Sequence, residues 1–336
     1  MSKEIAVLIS DIHYSLQTLE LADKAMRQAI KKANELQIPL IVAGDLHDTK
    51  ANLRGECVNQ MIKTFETCEQ PVYILIGNHD RLNEKAPAHS LSFLGLINKV
   101  TIVSKPYWYK ELGLVLIPYH HDTDMLRAFL RSLPTTATLI MHQGLEGSNA
   151  GDYIQDKSAI THDDVKDFRV ISGHYHTRQD IKTDRPRKGA VGLWSYIGNP
   201  YTVNFGEAND PEKGFQILMD DGALEFVPTN LRKHVIVEYV EGQVPFSKTL
   251  IKPEDLVWVK ARGSKLWLNG LSKKRIFNDD RINFKLELTS TDSPVAPKTS
   301  YKSQPEQLDA IVDQLSPDDK IASQRRKDLW RDLCES

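Results

Sequence analysis

Five times within the first 180 residues, a short apolar run ends in a cluster of carboxylate, imidazole or amide side chains. The clusters are Asp11-Ile12-His13, Gly44-Asp45-Leu46-His47-Asp48, Gly77-Asn78-His79-Asp80, Met141-His142-Gln143-Gly144 and Gly173-His174-Tyr175-His176. The runs before them, at 5–9, 39–43, 72–76, 138–141 and 170–172, have the length and apolar density of buried strands. Helical patterns lie between them. Leu19, Ala22, Met26, Ile30 and Ala33 predict a helix over 18–36, Val58, Met61 and Phe65 one over 52–68, and a third falls at 124–133. With further strands at 100–103 and 114–117, this alternation predicts an α/β layered domain. In such sheets, sites form beyond the carboxyl ends of the strands, where loops converge.

After about residue 169 the texture changes. Strands at 191–197, 215–219 and 224–227, separated by Gly-, Asp- and Pro-containing turns, join 170–172 in what reads as a second, mostly antiparallel sheet packed on the first. Apolar runs at 235–239, 256–260 and 282–288 read as strands of a smaller unit. Residues 289–303 are rich in Ser, Thr, Pro and Lys, as in a linker. The tail carries Leu308, Ile311, Val312 and Leu315, then Leu329, Trp330 and Leu333, apolar helical faces without chain enough for a core of their own. The domain boundaries expected are 1–230, 231–290, a linker over 291–305 and a helical tail over 306–336.

At 336 residues the chain is long enough for one large domain and a smaller one. A formal net charge of -2 rules out a surface that binds nucleic acid by overall positive charge, so phosphate contacts would have to be local or metal-borne. The basic clusters Arg185-Arg187-Lys188 and Lys273-Lys274-Arg275 read first as solvated faces and second as phosphate contacts. Cys57, Cys68 and Cys334 are scattered and in no ligand spacing, as free thiols of a reducing compartment are. No apolar run reaches membrane-spanning length and no signal sequence is evident, so a cytoplasmic location without membrane contact is expected.

The spacing within the clusters has a physical logic. Asp11 and His13 are two residues apart, as are His174 and His176, so on extended chain each pair points to one face, about 6–7 Å apart. A pair of metals about 3.5–4 Å apart can be gripped from either side by such residues. Carboxylate, imidazole and amide oxygen together suit manganese, iron or zinc, and the absence of thiolate argues against a structural zinc. A single Asp-X-His or Gly-Asn-His-Asp would also fit a capping turn. All five in order, each after a strand, do not fit that reading.

The order Asp-X-His, Gly-Asp-X-X-Asp, Gly-Asn-His-Asp, His, Gly-His-X-His resembles the calcineurin-like metallophosphoesterases, with every motif intact. The resemblance implies a four-layer α/β/β/α sandwich, here with a small α/β capping domain and a helical C-terminal tail. It also implies a site for two divalent metals, manganese first, with magnesium, iron or zinc as alternatives. Carried over residue by residue, one metal takes Asp11, His13, Asp45 and His176. The other takes Asp45, Asn78, His142 and His174, with Asp45 shared and His79 outside the metal shell.

A second resemblance covers roughly residues 4–230. Tyr196-Ile197-Gly198-Asn199-Pro200, Phe205-Gly206-Glu207 and Lys213-Gly214-Phe215 are similar to the SbcD-type nucleases, relatives of the meiotic recombination nuclease, and the chain length resembles the phage recombination endonuclease subunits. That family usually has Ser where Asn199 stands. The resemblance implies DNA as substrate in recombination, repair or end processing, in the host cytoplasm if phage-encoded. It further implies a homodimer and a tail docked on an SbcC-type coiled-coil ATPase.

The reaction expected is metal-assisted phosphodiester hydrolysis. His79 would act as general acid toward the leaving oxygen, and Asp80 or Asp48 would orient an imidazole. Two other readings stay open: a small-substrate phosphatase or cyclic-nucleotide phosphodiesterase on the same scaffold, and a metal-free binding scaffold.

Overall fold

The computed structural model describes residues 2–50, 52–83, 88–149, 160–183, 191–242, 251–271 and 282–288. The expected linker and tail, the two basic clusters and Cys334 lie outside them. The strands are β1 (Glu4–Ile9), β2 (Leu40–Val42), β3 (Val72–Leu75), β4 (Val100–Val103), β5 (Tyr107–Tyr109), β6 (Leu114–Ile117), β7 (Thr138–His142), β8 (Arg169–Gly173), β9 (Gln179–Lys182), β10 (Leu193–Tyr196), β11 (Gly214–Met219), β12 (Leu224–Pro228), β13 (His234–Val240), β14 (Leu256–Gly263) and β15 (Ile282–Leu288). The helices are α1 (Leu19–Leu36), α2 (Gly55–Phe65), α3 (Thr123–Arg131), α4 (His162–Val165) and α5 (Lys265–Gly270).

Two six-stranded sheets carry the fold. The first has the order β12-β11-β1-β2-β3-β4 and the second β5-β6-β7-β8-β10-β9. Side chains alternate across each strand, and the alternation sorts them into three cores. Ala6 and Leu8 of β1 face Leu116 of β6, Ile140 of β7 and Ile171 of β8 in the core between the sheets. Val7 and Ile9 turn the other way and pack with Met26 of α1 and Met61 of α2. On the far face of the second sheet, Val115, Leu139, Val170 and Trp194 pack with Leu126 and Leu130 of α3 and Val165 of α4. The layers are therefore α/β/β/α, as expected.

One expectation needs correction. The strands after residue 169 do not make a sheet of their own. β8 and β10 pair in parallel with each other, and β8 with β7, so they complete a sheet begun by β6. β11 and β12 instead form an antiparallel hairpin that adds to β1 of the first sheet. The uninterrupted burial of β8 fits an interior parallel strand covered on both faces. The antiparallel texture in the sequence comes from the hairpin and from edge strands β5 and β9.

β13, β14 and β15 form a separate three-stranded parallel sheet. No described helix is long and apolar enough to cross a membrane.

Because Leu8 is fully buried between the sheets, Leu8→Ala should lower unfolding free energy by about 2–5 kcal/mol. Chemical denaturation would measure this.

Candidate metal centre

The loops after β1 and β2 are zipped to one another. Asp11 N–H donates to Gly44 O at 3.1 Å, His13 N–H to Asp45 O at 3.1 Å and Tyr14 N–H to Leu46 O at 2.9 Å. Thr18 Oγ1 donates to His13 O at 2.7 Å, and the Tyr201 hydroxyl to Ile12 O. The zipper forces a left-handed backbone on Asp11 (φ 53°), His13 (φ 51°) and Asp45 (φ 49°), and His174 on the second sheet has φ 90°. Such conformations cost about 1–3 kcal/mol each in non-glycine residues and concentrate at functional sites. Two glycines permit the crowding. A Cβ on Gly44 (φ 94°) would overlap the His142 ring, and one on Gly77 would overlap the Asp45 carboxylate.

All seven expected ligands converge at this point. Asp45 Oδ2 lies 3.2 Å from His142 Nε2 and 3.9 Å from His13 Nε2, while Oδ1 accepts from His79 N–H at 2.8 Å. Asn78 Oδ1 is 3.1 Å from His142 Nε2 and 2.9 Å from His174 Nδ1. His13 Nε2 and His176 Nε2 are 3.1 Å apart. Asp11 accepts from His174 N–H through both oxygens, at 3.1 and 3.2 Å. Asp11, Asp45, His13 and His142 are all buried.

Among the described residues, three groups of side chains place ligand atoms within 4.8 Å of one another: Asp11, His13 and His176; Asp11, Asp45 and His142; and His13, Asp48 and His79.

The residues fit cations. Two imidazole nitrogens facing each other at 3.1 Å repel unless a proton or metal lies between them, and buried carboxylates need a counter-charge. His13 is pushed up to about 9, burial opposing the charge but Asp48, Asp45 and Asp11 outweighing it. His142 rises to about 9 against burial through Asp45, Asp11 and the Ala43 carbonyl. Burial likewise opposes ionisation of Asp45, but His142, His13 and His79 hold it well below the usual carboxylate range. His142 Nδ1 sits 2.7 Å from Ala43 O, which fixes Nδ1 as the N–H and turns Nε2 toward Asp45 and Asn78.

The three expected catalytic residues take different places. His79 Nδ1 is held 2.7 Å from the Asp48 main-chain carbonyl, leaving its Nε2 as the reactive nitrogen. The Asp48 carboxylate lies 3.3 Å from His13 Nδ1, facing that imidazole. Asp80 differs from the expectation. It is fully buried and accepts main-chain N–H groups of Gly77 and His47 at 2.9 Å, and of Leu46 at 3.4 Å. It ties the second and third loops together and orients no imidazole. Burial and Asp45 raise its pKa to about 6. His47 is buried and its backbone bridges to Tyr14.

Behind His176 lies a network that site prediction missed. Glu207 Oε1 accepts from His176 Nδ1 at 2.8 Å, and Oε2 accepts from Asn199 Nδ2 at 2.9 Å and from Val203 N–H at 3.1 Å. Buried Lys213 donates to the His176 carbonyl at 2.9 Å, to Asp210 at 2.7 Å and to Asn199 Oδ1 at 2.5 Å. Burial resists the charge on Glu207, but His176, Lys213 and Asn199 pull it down to about 2. Asn199 uses its amide at both ends, a span that the usual Ser hydroxyl lacks. The signal was in the sequence, since Asn199, Glu207 and Lys213 all fall in the motifs of the second resemblance.

The family model for calcineurin-like phosphoesterases matches residues 6–178, and the chain belongs to that family. Its fold and its cluster of His and Asp side chains are those of a metal-dependent hydrolase. Exonuclease subunit 1 of Enterobacteria phage T4 is 24% identical over 237 residues, spanning 66% of this chain and 65% of the phage protein, so the match falls just short of two thirds of that relative. A putative phosphoesterase, 244L, of Invertebrate iridescent virus 6 is 24% identical over 241 residues, spanning 63% of this chain and 79% of the viral one. A solved purple acid phosphatase, PPD1 from yellow lupin seeds, superposes with a TM-score of 0.43 at 11% identity, over 67% of this chain and 53% of that one.

Two predictions follow from the electrostatics. His13 and His142 have folded pKa values above their unfolded value of 6.5. Their contribution to stability is therefore complete below about pH 6.5 and lost as pH rises through about 9. Thermal melts in chelator should show that loss, and manganese should flatten it by replacing the protons. Glu207→Ala should weaken manganese binding by about 10–100-fold in calorimetry, by releasing His176.

Proposed function

We propose that this chain is a two-metal phosphodiesterase acting on DNA, the nuclease subunit of an SbcCD-like recombination or repair complex. The observation that carries the chemistry is the convergence of Asp11, His13, Asp45, Asn78, His142, His174 and His176 from five loops onto one point. Asp11, His13, Asp45 and His176 would hold one divalent metal, and Asp45, Asn78, His142 and His174 the other. Manganese is the first candidate, since it accepts the mixed carboxylate, amide and imidazole set. When bound, such a pair supplies Lewis acidity that activates water and neutralises charge on the phosphoryl oxygens.

The remaining work belongs to the chain. His79, its Nδ1 held by the Asp48 carbonyl, presents Nε2 to donate a proton to the leaving oxygen. Asp48 holds His13 in place, and Glu207 holds His176. Asp80 keeps the Asp45 and Asn78 loops in register.

DNA as the substrate is supported by the similarity to exonuclease subunit 1 of phage T4 and by the buried network at Asn199, Glu207 and Lys213, which gives the nuclease-type motif a physical role. A coiled-coil ATPase partner, a homodimer and a cytoplasmic setting are parts of the same proposal. The putative phosphoesterase relative favours the second reading, a small-substrate phosphoesterase.

Manganese-dependent cutting of end-labelled linear duplex and of circular single-stranded DNA would test the reading. His79→Ala should keep its metal and slow cutting about 10²-fold or more, whereas Asp45→Ala should lose metal. DNA left intact while a simple phosphate ester is hydrolysed, with the ATPase subunit added, would select the small-substrate reading.

A further inference from the structure

Tyr119 separates the metal centre from a cavity. Its ring stacks on His174 at 6.0 Å between centroids and 28° between planes. Beyond it opens a cavity of about 350 Å³, within the size of small-molecule sites. The cavity is tied to the centre by the backbone. Tyr119 N–H donates to Ile76 O at 2.8 Å, one residue before Gly77-Asn78, and His120 N–H donates to the Gln143 side chain at 3.3 Å, one residue after His142.

The walls are apolar: Ile76, Ile117, Leu126 and Phe129. The cationic groups Arg81 and Lys105 also line the cavity, and Arg81 Nη1 donates to the Tyr119 carbonyl at 3.3 Å. Met125 of α3 lies at the edge with 64% of its surface exposed, an apolar side chain held in water beside an apolar hollow. Apolar walls beside cationic side chains suit a flat, largely apolar group joined to an anion. None of these residues is among the candidate metal ligands.

We infer that the cavity receives the base of the nucleotide whose phosphate lies at the metal centre. The inference rests on the phosphodiesterase reading and specifies its substrate as a nucleotide. Tyr119 acts as the partition, with phosphate on the His174 side and base on the Phe129 side. Stacking of one base on such walls should tighten binding about ten-fold or more. A sugar phosphate without a base gains none of this.

Calorimetry on the full chain with manganese would compare 2′-deoxyadenosine 5′-monophosphate with 2-deoxyribose 5-phosphate. The nucleotide should bind about ten-fold tighter or better. Met125→Leu should keep that advantage. Met125→Glu should reduce it to near unity, and the ratio of the two ligands cancels any repulsion of their shared phosphate. Residue 125 is in the first turn of α3, where glutamate suits the helix. Should that variant fail to fold, Ser104→Trp, at an exposed position lining the cavity, would block it instead. Equal affinities in the wild type, or an advantage that survives both blocking variants, would overturn the inference. Hydrolysis of bis-p-nitrophenyl phosphate by the wild type separates this from the reading beneath it. Hydrolysis without a base advantage removes the cavity assignment alone, whereas a base advantage without hydrolysis, even with the ATPase subunit added, removes the phosphodiesterase reading and leaves only a nucleotide-binding cavity.

Discussion

Asp45 is the carboxylate on which the two halves of the sandwich meet. It leaves the first sheet after β2, yet its oxygens reach His142 from the second sheet and the His79 amide from a third loop. Its burial would be unfavourable without positive partners. The surrounding imidazoles supply them, and the left-handed backbone at Asp11, His13 and Asp45 is the strain accepted to bring them within reach. The sheets supply rigidity: β1, β2, β7 and β8 are buried strands, so the residues just beyond them have little freedom to relax.

A second tier of contacts surrounds that carboxylate, and it divides by function. Asp80 holds loop to loop through backbone N–H groups, Asp48 and Glu207 each face an imidazole, and Lys213 fastens Glu207, Asn199 and Asp210 around the His176 backbone. Asp48 is half exposed and Glu207 nearly buried. Their influence on the imidazoles should differ accordingly, with solvent screening weakening the Asp48–His13 pair.

Much of this was legible in the sequence because strand ends and polar clusters coincide. The continuous apolar runs at β1 and β7 and the helical stripe of α1 each place the following motif at a known edge. What was not legible has local causes. β5 is a three-residue edge strand and β9 an edge strand of mostly polar residues, so neither carries an apolar run of usual strand length, and the placement of β8 and β10 in the second sheet depends on long-range pairing that alternation does not encode. Asp80 directly follows the site residues Asn78 and His79 in sequence, yet its side chain turns inward to the backbone, a choice set by the fold of two loops. Glu207 was visible only as part of a motif, because its partner His176 is 31 residues away.

Anomalous diffraction from crystals soaked in manganese tests the central claim most directly. Two peaks that share Asp45 are expected, one toward Asp11, His13 and His176 and one toward Asn78, His142 and His174. A single peak at His13, Asp48 and His79, or no ordered manganese near Asp45, would contradict it.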